Sequence, residues 1–156
     1  MPNDSSSTSA TRTRILDDIK VAMKAKDRDR LATLRLVSAA IKQREVDEQK
    51  ELDEDATIAV LEKMLKQRKE SITQYREAGR DDLLAKEESE SELIREYMPE
   101  AMPAEEIEAQ VKECIASTGA SSVKDMGKVM AMLKPKLQGK ADMADVSVTV
   151  KSLLGA

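Results

Sequence analysis

The chain has 156 residues, 36% of them charged, and its only aromatic side chains are Tyr75 and Tyr97. Histidine is absent and Cys114 is the single cysteine, which excludes histidine-based catalysis, an intramolecular disulfide and any multi-cysteine metal site. A net charge of −4 argues against indiscriminate binding to nucleic acid, and the abundance of Leu, Met, Ala, Glu, Lys and Arg predicts an all-α fold.

The N-terminal end is rich in Ser and Thr and has almost no apolar residues, so we predict a disordered tail over 1–13. A first amphipathic helix is predicted from about Arg14, with an inner face made of Ile15, Leu16, Ile19 and Met23. Asp27 or Asp29 can cap a second helix. The residues that share its predicted inner face are Leu31, Leu34, Val37 or Ser38, Ile41 and Glu45.

The third helix is predicted to be the longest, from about Asp55 to Ala78. Its apolar seam comprises Ile58, Leu61, Leu65, Ile72 and Tyr75, and Arg68 falls in line with them. Arg68 either snorkels at the edge of the seam or forms a buried pair with a carboxylate, for which Glu87 is the candidate. Gly79 is a natural stop, and Asp81 or Asp82 begins the fourth helix.

Pro99 and Pro103 interrupt the helical pattern and predict a domain boundary. We therefore expect an N-terminal four-helix domain over 14–98 and a small three-helix domain over 99–156. The fifth helix should begin after Pro103, end at Gly119 and bury Cys114. The sixth should begin near Val123, with Pro135 kinking it or ending it near Leu133, and the last should span 142–154.

The charge is unevenly distributed along the chain. Residues 121–156 contain six lysines and three aspartates, a local balance of +3 within a chain of net charge −4. A helical stripe in this region comprises Met126, Met130, Leu133 and Leu137; Lys128 lies opposite it, and Lys134 and Lys136 flank it. The pattern alone favours a small core helix with solvated lysines, and an anion-facing surface is the alternative. Because the region has no aromatic residue, a bound RNA would be held through phosphates and shape.

Other functional signals are absent from the sequence. It contains no nucleophile elbow, phosphate-binding loop or dinucleotide fingerprint, so no catalytic residue, metal site or cofactor is predicted. The acidic run at 87–92 is interpreted as a solvated helix face. No apolar run is long enough for a membrane helix or a signal-peptide core, and we expect a cytoplasmic protein without a membrane partner.

Four stretches carry a family resemblance: LRLVSAAIKQREVD at 34–47, KQRKESITQYREAGRDDL at 66–83, ELIREYMPEAM at 92–102 and MGKVMAMLKPKLQGKAD at 126–142. Together they resemble the GatB/YqeY family. The first three are typical of free-standing YqeY proteins, and the last is similar to the helical tail of the GatB subunit of tRNA-dependent amidotransferase. The resemblance covers 14–156 and implies an all-helical N-terminal domain followed by a GatB-tail-like domain.

In the amidotransferase, that tail helps to hold the body of the tRNA while other parts perform the chemistry. The resemblance therefore implies tRNA contact by the residues on matching motif positions, which are Gly127, Lys128, Lys134, Lys136, Gly139 and Lys140. Lys124 and Lys151 are added because of their charge and proximity.

Three functions follow as hypotheses. The first is a non-catalytic accessory protein that binds tRNA or associates with aminoacyl-tRNA or amidotransferase machinery. The second is a protein-interaction adaptor whose groove is lined by methionines 126, 130, 132 and 143. The third is a carbon–nitrogen ligase with glutamine as amido donor. It would need partner subunits, because the catalytic cradle of GatB is absent. The oligomeric state is left open.

Overall fold

The computed structural model describes residues 9–155, and in that range the chain is all-α, as predicted, without a β-strand. The helices are α1 (Ala10–Ala25), α2 (Arg28–Glu48), α3 (Glu54–Glu77), α4 (Asp81–Arg95), α5 (Ala104–Thr118), α6 (Met126–Leu137) and α7 (Met143–Gly155). A short 3₁₀ turn, Val123–Asp125, precedes α6. The chain divides into two compact units: α1–α4 belong to the N-terminal unit, which ends at Met98, and α5–α7 to the C-terminal unit, which begins at Pro99.

Helix α1 begins earlier than the sequence suggested. Ser9 caps it, and the Ser9 hydroxyl donates to Glu54 Oε2 at the start of α3 over 2.7 Å. The backbone N–H of Thr11 donates to the same oxygen over 3.1 Å. These bonds offset the entropy of ordering the polar residues, so the predicted disordered tail over 1–13 is corrected for 9–13. Residues 1–8 lie outside the described part of the chain.

Several helices begin or end at residues with a local capping signal. Asp27 caps α2 by accepting from the N–H of Arg30 over 3.2 Å, and Asp53 caps α3 by accepting from the N–H of Ala56 over 2.8 Å. After α3 and α5, Gly79 and Gly119 adopt φ values of 68° and 67°. Only glycine takes this left-handed conformation without strain, which explains why both helices end there.

The core of the N-terminal unit differs from the prediction on α1. Ile15 and Ala22 are buried there, whereas Leu16 is 37% exposed and Met23 is 51% exposed. Helix α1 packs against both α2 and α3, and the small Ala22 side chain permits close approach on that side. The predicted inner face is therefore rotated. The predicted α2 face is confirmed at Leu34, Val37 and Ile41.

Arg68 forms a largely buried ion pair, as one of its two interpretations proposed, but its partner is Glu90. Arg68 Nη2 lies 3.2 Å from Glu90 Oε2, and both side chains are 12% exposed. Arg68 Nε donates to the same oxygen over 3.3 Å. Glu87, the predicted partner, lies almost one turn earlier on α4. The pair joins α3 to α4.

Tyr97 links the end of α4 to the first two helices. Its side chain is buried, and its hydroxyl donates to Asp18 Oδ2 over 2.5 Å. The Arg14 guanidinium stacks 4.4 Å from the centre of the ring, and Arg30 Nη2 donates to the hydroxyl over 3.4 Å. Burial of the phenol, followed by the hydrogen bond to Asp18 and its charge, raises the pKa of Tyr97 to about 12.

This shift predicts a loss of stability at alkaline pH. The phenol of the unfolded chain ionises near its ordinary pKa of 10.0, whereas the folded chain keeps the proton up to a pKa of about 12. The contribution of Tyr97 to the free energy of unfolding is therefore complete below pH 10.0 and falls as the pH rises to about 12. Urea unfolding of the wild type and of Tyr75→Phe should show the free energy of unfolding declining across this pH range. Tyr97→Phe should not show this decline. An equal decline in wild type and Tyr97→Phe would contradict the assignment.

Candidate nucleic-acid interface

The predicted binding residues lie on the C-terminal unit, whose three helices pack around a small apolar core. Its buried side chains come from all three helices: Val111, Cys114, Val129, Leu133, Leu137, Val146 and Val150. Cys114 is a core residue with a free thiol, as predicted. The predicted α6 stripe is confirmed at Leu133 and Leu137, whereas Met126 and Met130 are only partly buried and Val129 takes the central position.

Pro135 lies within the last turn of α6 and does not end the helix. The helix continues through it to Leu137, so of the two predicted outcomes, a kink at Pro135 or an end near Leu133, the second is wrong. Proline lacks the N–H that would bond the carbonyl of Ala131, and its ring crowds that carbonyl; Ala131 lies on the exposed side of the helix, where water can solvate the freed carbonyl. Burial of Leu133 and Leu137 on either side of Pro135 stabilises the helical path.

All six predicted lysines are exposed. Lys124 lies in the 3₁₀ turn, Lys140 follows α6 in the turn to α7, Lys151 lies on α7, and Lys128, Lys134 and Lys136 lie on α6. Among the described residues, none of the six has a carboxylate within ion-pair distance. The only acidic group on which one of these lysines has a resolved electrostatic effect, among the described residues, is Asp125. The hydrogen bond from the Ser121 N–H is the main cause of the lowered pKa of Asp125, and the charge of Lys128 lowers it further.

The lysines of α6 stand on both sides of an exposed ridge. At about 100° per residue, Gly127, Ala131 and Pro135 follow one another along the solvent side of the helix. Lys128 and Lys136 lie on one flank of this small-residue ridge, and Lys134 lies on the other. The lysines therefore border a narrow strip of backbone instead of forming one line. Ala131 and Pro135 were not among the predicted residues, although the successive spacings of four from Gly127 to Ala131 and from Ala131 to Pro135 carry the signal.

The two predicted glycines have different explanations. Gly139 adopts a φ of 77°, so the turn after α6 requires glycine irrespective of any ligand. Gly127 lies within α6, and a Cβ added there would meet no atom within 4 Å. The fold thus gives no steric reason for Gly127, the second residue of α6. In the middle of a helix, glycine costs about 0.5–1 kcal/mol relative to alanine.

The turn that carries Lys140 is held in place by the backbone. The N–H of Lys140 donates to the carbonyl of Leu137 over 2.9 Å, and its carbonyl accepts from the N–H of Met102 over 2.8 Å. The lysine is therefore presented from a fixed backbone. Beyond it, α5 and α7 enclose a cavity of about 320 Å³ whose lining includes Glu108, Asp142 and Asp145. These carboxylates repel anions, so the cationic surface does not extend over this cavity.

The four methionines of the adaptor hypothesis are all at least partly exposed. Met126, Met130 and Met143 pack partly buried against the core of the C-terminal unit, and Met132 is 38% exposed. Three of the four thus contribute to packing.

None of the helices between Ser9 and Gly155 combines the length and the apolar composition that spanning a lipid bilayer requires. In the same range, no group of three or more acidic or cysteine side chains is arranged to hold a metal ion.

Known proteins match this chain over most of its length. The profile of the family described as YqeY-like protein matches residues 12–154. Proteins named "Altered inheritance of mitochondria protein 41, mitochondrial" are similar as well. The one from Lachancea thermotolerans is 42% identical over 61% of this chain and 51% of its own length. That from Eremothecium gossypii is 43% identical over 60% of this chain and 52% of its own length. That from Saccharomyces cerevisiae is 34% identical over 68% of this chain and 58% of its own length.

The chain spans about half the length of these curated relatives. Their names contradict the predicted cytoplasmic localisation, because each is called a mitochondrial protein. The prediction relied on the lack of an apolar signal-peptide core. That criterion is insensitive to mitochondrial targeting segments, which are amphipathic and rich in Arg and Ser.

Proposed function

The chain belongs to the YqeY-like protein family, and from this premise we propose that its C-terminal unit binds a folded RNA, with tRNA as the candidate. The protein would act as a non-catalytic accessory of aminoacyl-tRNA or amidotransferase machinery. The motif at 126–142, similar to the GatB tail, supports the choice of ligand.

The observation that carries the proposal is the set of unpaired lysines around the small-residue ridge. A lysine without a carboxylate partner can neutralise a phosphate and release its counterion, which is the main source of affinity for nucleic acid. Gly127 at the ridge permits close approach of a sugar–phosphate backbone to α6. An exposed helical glycine without a packing role is then explained by the ligand.

A folded RNA is favoured over a single strand by the side chains of this unit. Both tyrosines of the chain, Tyr75 and Tyr97, lie in the N-terminal unit, and the chain has no Phe or Trp. Recognition of single-stranded RNA depends mainly on bases stacked on aromatic side chains. The C-terminal unit is instead equipped to contact phosphates on a surface of defined shape.

The test is fluorescence anisotropy with labelled, refolded tRNA at increasing salt. The affinity should fall about a hundredfold or more between about 50 and 200 mM salt, since each phosphate contact contributes about −0.9 to the slope of log affinity against log salt. A single-stranded RNA of equal length should bind more weakly. Absence of binding at low salt, or binding insensitive to salt, would count against the proposal.

Substitution of Gly127 separates stability from binding. Gly127→Ala should raise the free energy of unfolding by about 0.5 kcal/mol, because alanine is the better helix former and its Cβ meets open space. Gly127→Gln should lower tRNA affinity about tenfold, or about 1.4 kcal/mol, by blocking close approach to the ridge. Ala109→Gln, at an exposed position of α5, is the matched control and should leave tRNA affinity unchanged. Full tRNA affinity of Gly127→Gln would remove the ridge from the interface.

A further inference from the structure

A second surface, in the N-terminal unit, lies outside the proposed RNA function. A two-residue connection joins α1 and α2, which run side by side, and a groove separates their solvent-facing flanks. At one end the groove deepens into a cavity of about 250 Å³, whose lining includes Ile15, Leu16, Ser38 and Ile41. Along the groove, helical spacing places Met23 on the same flank as Leu16. We call this surface the α1–α2 groove.

The groove exposes apolar side chains that no element of the described chain covers. Leu16 and Met23, two turns apart on α1, are 37% and 51% exposed. Between them Ile19 is partly buried, and Leu31 of α2, also partly buried, shares the flank that includes Ser38. An apolar strip of this kind, with a cavity at one end, matches the surface that receives the apolar face of a helix.

The charges beside the groove are predominantly positive and free. Arg35 and Lys42 lie on the α2 flank and Lys20 on the α1 flank, all exposed. Among residues 9–155, none of these three has a carboxylate within ion-pair distance. The acid at the groove, Glu45, is already engaged: Arg12 Nε lies 3.1 Å from its Oε2, which also accepts from the N–H of Leu52 over 2.9 Å.

We propose that the α1–α2 groove binds an acidic amphipathic helix of a partner protein. One apolar side chain would fill the cavity beside Leu16, and others one and two turns further along would cover Met23. Glutamates or aspartates on the flanks of that helix would pair with Arg35 and Lys42. Charge complementarity selects this occupant: a basic or neutral helix would leave these cations unpaired. An RNA has no apolar stripe to place on Leu16 and Met23.

The first test uses a synthetic helical peptide of about four turns, with leucines at positions i, i+4 and i+7 and glutamates on both flanks. Its twin carries lysines in place of the glutamates. On the full chain the acidic peptide should bind at least about tenfold more tightly than the twin. In methyl NMR spectra the Met23 signal should shift, whereas that of Met132, in the other unit, should not. Equal binding of the two peptides, or an unmoved Met23 signal, would overturn the proposal.

Charge reversal on α2 then locates the contact. Arg35→Glu/Lys42→Glu should lower the affinity for the acidic peptide at least about tenfold. The double variant should then bind the lysine twin more tightly than the acidic peptide. Lys63→Glu/Lys66→Glu, at exposed sites on α3, makes the same change in net charge and should have no effect. All four side chains are exposed, so folding should be retained, as circular dichroism would verify. If tRNA or vesicles containing anionic lipid displaced the peptide from Met23, the groove would belong to that ligand and the proposal would be wrong.

Discussion

Reversing the charge of four lysines in the C-terminal unit is expected to lower the affinity for tRNA at least about a hundredfold at low salt. The variant is Lys128→Glu/Lys134→Glu/Lys136→Glu/Lys140→Glu. A hundredfold corresponds to about 2.7 kcal/mol, which is modest for four reversed phosphate contacts. Each lost contact should also reduce the slope of log affinity against log salt by about 1. Anisotropy titrations at several salt concentrations measure both quantities.

The control must separate a local contact from the effect of net charge. Four exposed lysines of the N-terminal unit provide an equal change: Lys63, Lys66, Lys69 and Lys86. Their reversal to glutamate should weaken tRNA binding only slightly and leave the salt slope nearly unchanged. Equal losses in the two variants would show that tRNA responds to overall charge, and the interface would have to be placed elsewhere.

Loss of Arg68 is expected to have the largest effect on stability. Arg68→Met keeps much of the side-chain volume but leaves the nearly buried carboxylate of Glu90 without its cation. Breaking such a pair costs about 3 kcal/mol, because an uncompensated charge stays in a poorly solvated position. Urea unfolding followed by tyrosine fluorescence measures this loss selectively, since both tyrosines belong to the N-terminal unit.

The double variant Arg68→Met/Glu90→Leu shows whether the pair itself stabilises the fold. Replacing both charges with apolar side chains should return the free energy of unfolding to within about 1 kcal/mol of wild type. Arg76→Met breaks the exposed contact of Arg76 with Glu88, in which Nη2 lies 3.3 Å from Oε1, and should cost less than about 1 kcal/mol. If Arg68→Met were as mild as Arg76→Met, the Arg68–Glu90 contact would be energetically unimportant.

Helix limits were predictable from the sequence because their causes are local. Asp27 as a cap and Gly79 and Gly119 as stops act within one turn of their own position. The start of α1 was missed because Ser9 and Thr11 are held by Glu54, which is distant in the sequence. Local polarity indicated disorder there, but a tertiary contact decides the conformation of this segment.

How neighbouring helices are rotated and shifted against each other was not predictable. Leu16 and Ala22 both fit an amphipathic α1, and only the close approach of α2 and α3 selects the smaller side chain. Of the two interpretations of Arg68, snorkelling at the edge and a buried pair with a carboxylate, the second is confirmed. Choosing Glu90 over Glu87 requires the axial position of α4 relative to α3, which is not encoded in the period of either helix.

The candidate RNA site shows the same division between residue type and arrangement. Exposure of the lysines follows from their charge and was expected. Their placement around Gly127, Ala131 and Pro135 depends on which face of α6 is buried. The predicted stripe placed Met126 and Met130 in that face with Leu133 and Leu137, whereas the structure buries Val129 with the two leucines and leaves the two methionines partly exposed.

Burial of Cys114 supplies a kinetic reporter for the C-terminal unit. Its thiol is fully enclosed, so a thiol reagent can reach it only while that unit is transiently open. At saturating reagent the labelling rate equals the opening rate, and at low reagent it reports the opening equilibrium. Tyr75 and Tyr97 provide the matching fluorescence for the other unit. Each half of the molecule therefore carries its own probe, and comparing the two time courses measures how far the halves open together.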